Sequence, residues 1–164
     1  MYFEKFPKIQ YTNTEGGDTL IVTNILKRIG ARAAVKSQSS MFQKYSIRGS
    51  ESPEALAFDI YGDSELHWMI LLINDIYDRY HQWPMNVNQF QSYLADKYSN
   101  PNGVHHYEIS QSSGNSDITI NIGTDNTDYA SATLVTNFEY EEKEQDKLRQ
   151  IRLLQGNYVG QFIK

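Results

Sequence analysis

Catalysis and metal binding need side chains that move protons, attack carbon or hold a cation. This chain of 164 residues supplies few of them in usable patterns. It contains no cysteine, which excludes disulfides and thiolate chemistry. Its four histidines are His67, His81, His105 and His106. The last two are neighbours in a segment of strand character, so their side chains are expected on opposite faces. His106 and Glu108 share a face and offer two metal ligands, but a third at a helpful spacing is missing, and zinc sites carry a fuller set. His67, beside Trp68, reads as a packing residue and His81 as a loop residue. The carboxylate pairs Asp59/Asp63 and Asp75/Asp78 have the composition of a glycosidase pair. They fall at turns and helix caps, where Asp serves local hydrogen bonds. There is no GxSxG elbow, no GxxxxGK[ST] loop and no GxGxxG turn. No catalytic residue, metal ligand or cofactor site is therefore assigned.

Residues suited to binding are more plentiful. Tyrosine is frequent, at 12 residues, and Tyr is a common interface residue. Tyr77, Tyr80, His81 and Trp83 form an aromatic cluster that can stack on sugar rings, cover helices or act as an interface hot spot. The N-terminus carries Tyr2, Phe3, Phe6, Pro7, Ile9 and Tyr11; Pro7 leaves room only for an edge strand or an extended arm. The C-terminal tail is apolar at Tyr158, Val159, Phe162 and Ile163. The N-terminal arm either packs on its own domain or docks on a partner; both ends, with Leu148, Ile151 and Leu154, are the expected partner-binding surfaces. A net charge of −5 with scattered Lys and Arg argues against a nucleic-acid partner. The longest apolar run, 68–73, is far short of the roughly 20 residues of a membrane span. The N-terminus has no signal-peptide apolar region, so a soluble protein made in the cytoplasm is expected.

The elements that must position these residues follow from local signals. Residues 19–23, TLIVT, read as a strand. A short helical piece over 24–35 follows, with Ile25, Leu26 and Ile29 on one side. A strand is expected over 41–47. Ser52 as N-cap and Pro53 at the first helical position start a helix that Gly62 ends in the left-handed conformation. Asp63 or Ser64 caps a second helix, closed by Asn74-Asp75, and 77–85 leaves it as an extended, turn-rich segment. Asn86 or Asn88 caps a third helix, with Phe90, Tyr93, Leu94 and Tyr98 in one stripe. Strands are expected over 104–109, 118–123 and 132–140. A final helix over 141–156 has acids first and bases last, which suits the helix dipole. Its apolar stripe is confined to the second half.

Residues 45–85 resemble a LysM unit, a strand–helix–helix–strand family. The residues carrying the likeness are Gly49, Leu56-Ala57, Ile60-Tyr61-Gly62, Leu66, Asn74 and Trp83-Pro84. Gly49-Ser50-Glu51-Ser52 and Pro53 depart from the usual Gly-Asp-Thr-Leu opening, which helps form the sugar cleft. The wider chain resembles LysM-containing baseplate wedge proteins of contractile-tailed bacteriophages, of the gene product 53 kind. The resembling stretches are YFEKFPKIQY, VTNILKRI, RGSESPEALAFDIYGDSELHWMILLIND, the helix ending in Tyr98, and LRQIRLLQGNYVGQFIK. That resemblance implies a non-enzymatic virion protein of the tail baseplate. It would occur in multiple copies, bind other wedge proteins and neighbouring wedge or hub subunits, and help join wedges around the central hub.

The expected fold is α+β. It comprises an N-terminal arm with a short strand and helix (1–40), a LysM-like β-α-α-β unit with a following helix (41–98), a small antiparallel β region (99–140), and a C-terminal helix with a partner-docking tail (141–164). Two rival functions are a LysM-type peptidoglycan or chitin binder using Trp83, Tyr80 and the Gly49 loop, and a cell-wall hydrolase using Asp75 or Glu51.

Overall fold

The computed structural model describes residues 3, 6–12, 17–27, 30–110, 118–125 and 129–163. Seven strands and six helices follow in chain order among them: β1 (Lys8–Thr12), β2 (Thr19–Thr23), α1 (Ala33–Lys36), β3 (Phe42–Ser46), α2 (Pro53–Tyr61), α3 (His67–Ile73), α4 (Val87–Lys97), β4 (Val104–Ser110), β5 (Thr119–Gly123), β6 (Thr133–Thr136), α5 (Asn137–Arg149), β7 (Gln150–Leu154) and α6 (Gly156–Phe162). The mixture of helix and sheet is the expected α+β class. The chain divides into two units, one of 1–46, 51–82 and 151–164, the other of 47–50 and 83–150.

In the first unit, β1 and β2 pair antiparallel, and β3 pairs with β7. Helix α2 starts as its sequence dictates. The Ser52 hydroxyl accepts from Ala55 N, Pro53 occupies the first turn, and Gly62 closes the helix at φ 76°. Asp63 caps the 3₁₀ turn that leads into α3 by accepting from Glu65 N. Helix α3 ends in a left-handed residue, Asp75 at φ 56°. Ile76 N reaches Leu71 O and Asp75 N reaches Leu72 O, a Schellman closure that usually needs Gly but tolerates Asp. The core is made by Leu56 and Ala57 of α2, Met69, Ile70, Leu72 and Ile73 of α3, and Ile151, Leu153 and Leu154 of β7.

Two expectations change here. The expected helix over 141–156 stops at Arg149, and 150–154 is the strand β7. The reason is periodicity: Ile151 and Leu153 alternate with exposed Gln150 and Arg152, a strand pattern as readily as a helical one. Pairing with β3 decides it. Gln155 N donates to Met41 O and Ile47 N donates to Arg149 O, so the two strands run antiparallel. Further, 77–85 contains no strand. The partner of β3 comes instead from the C-terminal end of the chain. Asn74 attaches it: its Nδ2 donates to Ile70 O and Arg152 O, and its Oδ1 accepts from Arg152 N, each at 2.8 Å. Tyr61 OH donates to Leu154 O at 3.0 Å, and burial pushes this phenol up to about 12.

In the second unit, β4 is central to a sheet of order β5-β4-β6. Helix α4 opens with a capping box of Asn86 and Gln89. Helix α5 opens with another, Thr136 and Glu139. That box is why the strand expected over 132–140 ends at Thr136: the T-x-x-E spacing satisfies helix N–H groups. Asn137 N and Phe138 N are taken by Gly103 O and Pro101 O of the preceding turn. In the first unit, residues 33–35 of the helical piece expected over 24–35 are helical, as part of α1, while Ile25 and Leu26 lie in a turn. Ile29 lies outside the described residues.

Candidate interaction surface

The hairpin β1–β2 is held in register by five Cα pairs, Lys8↔Thr23, Ile9↔Val22, Gln10↔Ile21, Tyr11↔Leu20 and Thr12↔Thr19. Directly opposed residues share a face, so Ile9, Val22, Tyr11 and Leu20 form one apolar face. Ile21 projects from the other. A two-stranded hairpin has little independent stability in water, yet this one leaves Leu20 58% and Ile21 71% exposed. The turn after β2 adds Ile25 at 67% and Leu26 at 91% exposure. Asn24 fixes that turn through Leu26 N → Asn24 Oδ1 at 3.2 Å. On the other side of β1, Phe3 and Phe6 pack ring to ring at 5.2 Å, with Phe6 buried. Sequence reasoning saw an arm here and missed the hairpin, and with it Leu20, Ile21 and Leu26. The available signal was two alternating segments, Ile9/Tyr11 and Leu20/Val22, around a Gly-rich turn.

The residues expected to bind partners differ in where the structure places them. Phe3, Pro7 and Ile9 are exposed on or beside the hairpin, and Tyr77 and Tyr80 are exposed on the turns after α3. Ile151, Leu154, Phe6 and Trp83 are instead buried in the protein's own interior. Trp83 therefore offers no open ring face for a sugar. The tail residues Tyr158, Val159 and Phe162 pack on Met69, Ile73 and Leu154, with Phe162 stacked on Trp68 at 6.4 Å. Forming α6 and β7 turns the apolar C-terminus inward, which is why as a linear segment it reads as a partner-docking tail. Leu148 and Ile163 are half-buried, and Tyr2 lies outside the described residues.

Several ionisable residues are held in local contacts. Asp75 meets Lys36 and Tyr77 OH. Asp78 accepts from Tyr80 N and meets His81 at 2.6 Å, which lowers its carboxyl pKa. Glu51 accepts from Tyr45 OH. His67 Nδ1 lies 2.9 Å from Ser64 O. Buried Glu141 joins α5 to α4: Lys97 Nζ at 2.6 Å, Tyr98 OH at 2.7 Å and Tyr93 OH at 3.3 Å all donate to it. Burial pushes this carboxyl up, but those three partners outweigh it and the net shift is downward. Lys97 is pushed up in return, chiefly by the hydrogen bond to Glu141.

His105 and His106 do not point to opposite faces. A bulge in the β4–β6 register falls between Val104 and His106, so both side chains turn to one side. Their Nδ1 atoms are 2.7 Å apart. His106 Nε2 lies 3.0 Å from Glu108 Oε1, and Lys143 Nζ lies 3.3 Å from Glu108 Oε2. Glu108 is thus shared between His106 and Lys143. Among the described residues no group of three or more His, Cys, Asp or Glu is placed to hold a metal ion, and no helix is long and apolar enough to cross a membrane.

The hairpin and the turn after it thus leave Leu20, Ile21, Ile25 and Leu26 exposed, while Glu108, Glu141, Asp75 and Asp78 are tied into local networks. The profile of the family described as Base plate wedge protein 53 matches residues 1–130. The chain therefore belongs to that family, a family of structural proteins of the phage baseplate. Over 181 residues it is 25% identical to the baseplate wedge protein gp53 of Enterobacteria phage T4, covering 99% of this chain and 92% of that protein.

Proposed function

We propose that this protein builds the wedge of a phage tail baseplate by binding other wedge subunits through its β1–β2 hairpin. In this reading it helps join neighbouring wedges around the hub, in several symmetric copies per virion. The observation that carries it is the hairpin's apolar face. Ile9, Tyr11 and Leu20, with Ile21 on the reverse, face solvent on an element too small to be stable alone. A partner subunit that covers this face supplies the missing layer. The helical unit acts as a protein adaptor: β3, α2, α3 and β7 form a LysM-like arrangement, closed by the C-terminal strand rather than by residues after α3. Trp83 is buried and Glu51, Asp75 and Asp78 are held by neighbours, which favours this adaptor over a glycan binder or hydrolase. The test is co-assembly with the other wedge proteins of the same phage, followed by size exclusion with light scattering. The wild-type chain should elute in the complex, and a Leu20→Ser, Ile21→Ser variant should elute alone. Retention of that variant in a full-size complex would remove the hairpin from the interface.

A further inference from the structure

We propose that His105 and His106 form a one-proton latch that holds α5 on β4 and opens in mild acid. The two Nδ1 atoms are 2.7 Å apart, which requires one proton between them. His106 is 5% exposed and its Nε2 faces the Glu108 carboxylate at 3.0 Å. With Nε2–H donating to Glu108, His106 Nδ1 either accepts from His105 or donates to it. Either way the dyad carries at most one positive charge while the bond stands. A second proton puts N–H groups on both Nδ1 atoms, so donor meets donor and cation meets cation.

The latch bears on α5 because the His105 ring lies flat on Tyr140 of that helix, with centroids 3.8 Å apart and 9° between planes. His106 meets the same ring edge-on at 6.0 Å. Separating the histidines therefore disturbs a stacked strand–helix contact. The charged groups facing the dyad are Glu108 from β4, Glu141 and Lys143 from α5, and Lys97 from α4. The sequences of β5 and β6 bring no ionisable side chain. Glu108 is already shared between His106 and Lys143, and Glu141 is saturated by Lys97 and two tyrosines. Neither is placed to absorb a second imidazolium. Burial, then the neighbouring His106, lowers the pKa of His105. A depressed histidine favours the unfolded state once pH falls below the ordinary value of about 6.5.

The experiment is histidine-resolved nitrogen NMR of the full chain across about pH 8 to 4.5, with melting curves at both ends. In the wild type, His105 should gain its second ring proton below the ordinary histidine range, and that step should coincide with loss of the Tyr140 ring-current shift on His105. His105→Phe keeps the stack and removes the shared proton, so its melting temperature should fall less between neutral and acid pH than that of the wild type. Protonation of His105 at the ordinary value of about 6.5, with its Tyr140 contact intact, would overturn the latch. So would an acid response in His105→Phe equal to that of the wild type. The wild-type titration decides the matter even if the variant does not fold.

Discussion

Replacing Asn74 by Ala should detach the C-terminal strand from the helix that holds it. The Asn74 amide pairs with both backbone groups of Arg152 and with Ile70 O, three bonds at 2.8 Å. A net bond contributes about 0.5–1.5 kcal/mol, so three give at most about 4.5. The site is partly open to water, and the lower half of that range applies, about 1.5–3 kcal/mol. For a chain of this size that is a fall of roughly 3–12 °C in melting temperature. Asn74→Asp is a sharper variant. It keeps the acceptor for Arg152 N but turns a carboxylate oxygen toward two carbonyl oxygens, so it should cost at least as much as Ala. Urea unfolding followed by Trp fluorescence and far-UV circular dichroism reads the loss. Hydrogen exchange at the Arg152 amide should rise in both variants, well before global unfolding. A loss below about 0.5 kcal/mol, with Arg152 still protected, would show that the Asn74 amide does not hold β7.

Other outcomes follow from the core and the helix starts. Leu153→Ala removes a side chain with 0% exposure and should cost about 2–5 kcal/mol in urea unfolding. Thr136→Ala removes the N-cap of α5 and should cost about 0.5–2 kcal/mol, with less helix by circular dichroism. Glu141 has its folded pKa held below the ordinary carboxylate range. Its contribution is therefore present above about pH 4.5 and is lost as pH falls through the folded value. Glu141→Gln should flatten the decline in stability between about pH 6 and pH 3, read as the difference in urea midpoint between those conditions.

Much of the fold was legible because its signals are local. Ser52-Pro53 and Gly62 bracket α2, Asn74-Asp75 closes α3, and Asn86 with Gln89 starts α4, each by a hydrogen-bonding rule that acts within a few residues. What was not legible depended on distant partners. Residues 150–154 have a pattern compatible with helix or strand, and only β3, about a hundred residues earlier, selects the strand. The bulge that turns His105 beside His106 is set by the register against β6, not by the sequence HH. The hairpin needed the pairing of 8–12 with 19–23 to reveal its apolar face. The tail misled for the same reason: Tyr158, Val159 and Phe162 look like partner anchors until the core they cover is in place.

The central claim is that the protein meets its wedge partners through the β1–β2 hairpin. Hydrogen–deuterium exchange of the chain alone and in the assembled wedge tests it most directly. Slowed exchange is expected across 8–12 and 19–23 on assembly, with little change over α6, which already packs on its own core. Unchanged exchange in the hairpin, with new protection over 156–163 instead, would contradict it.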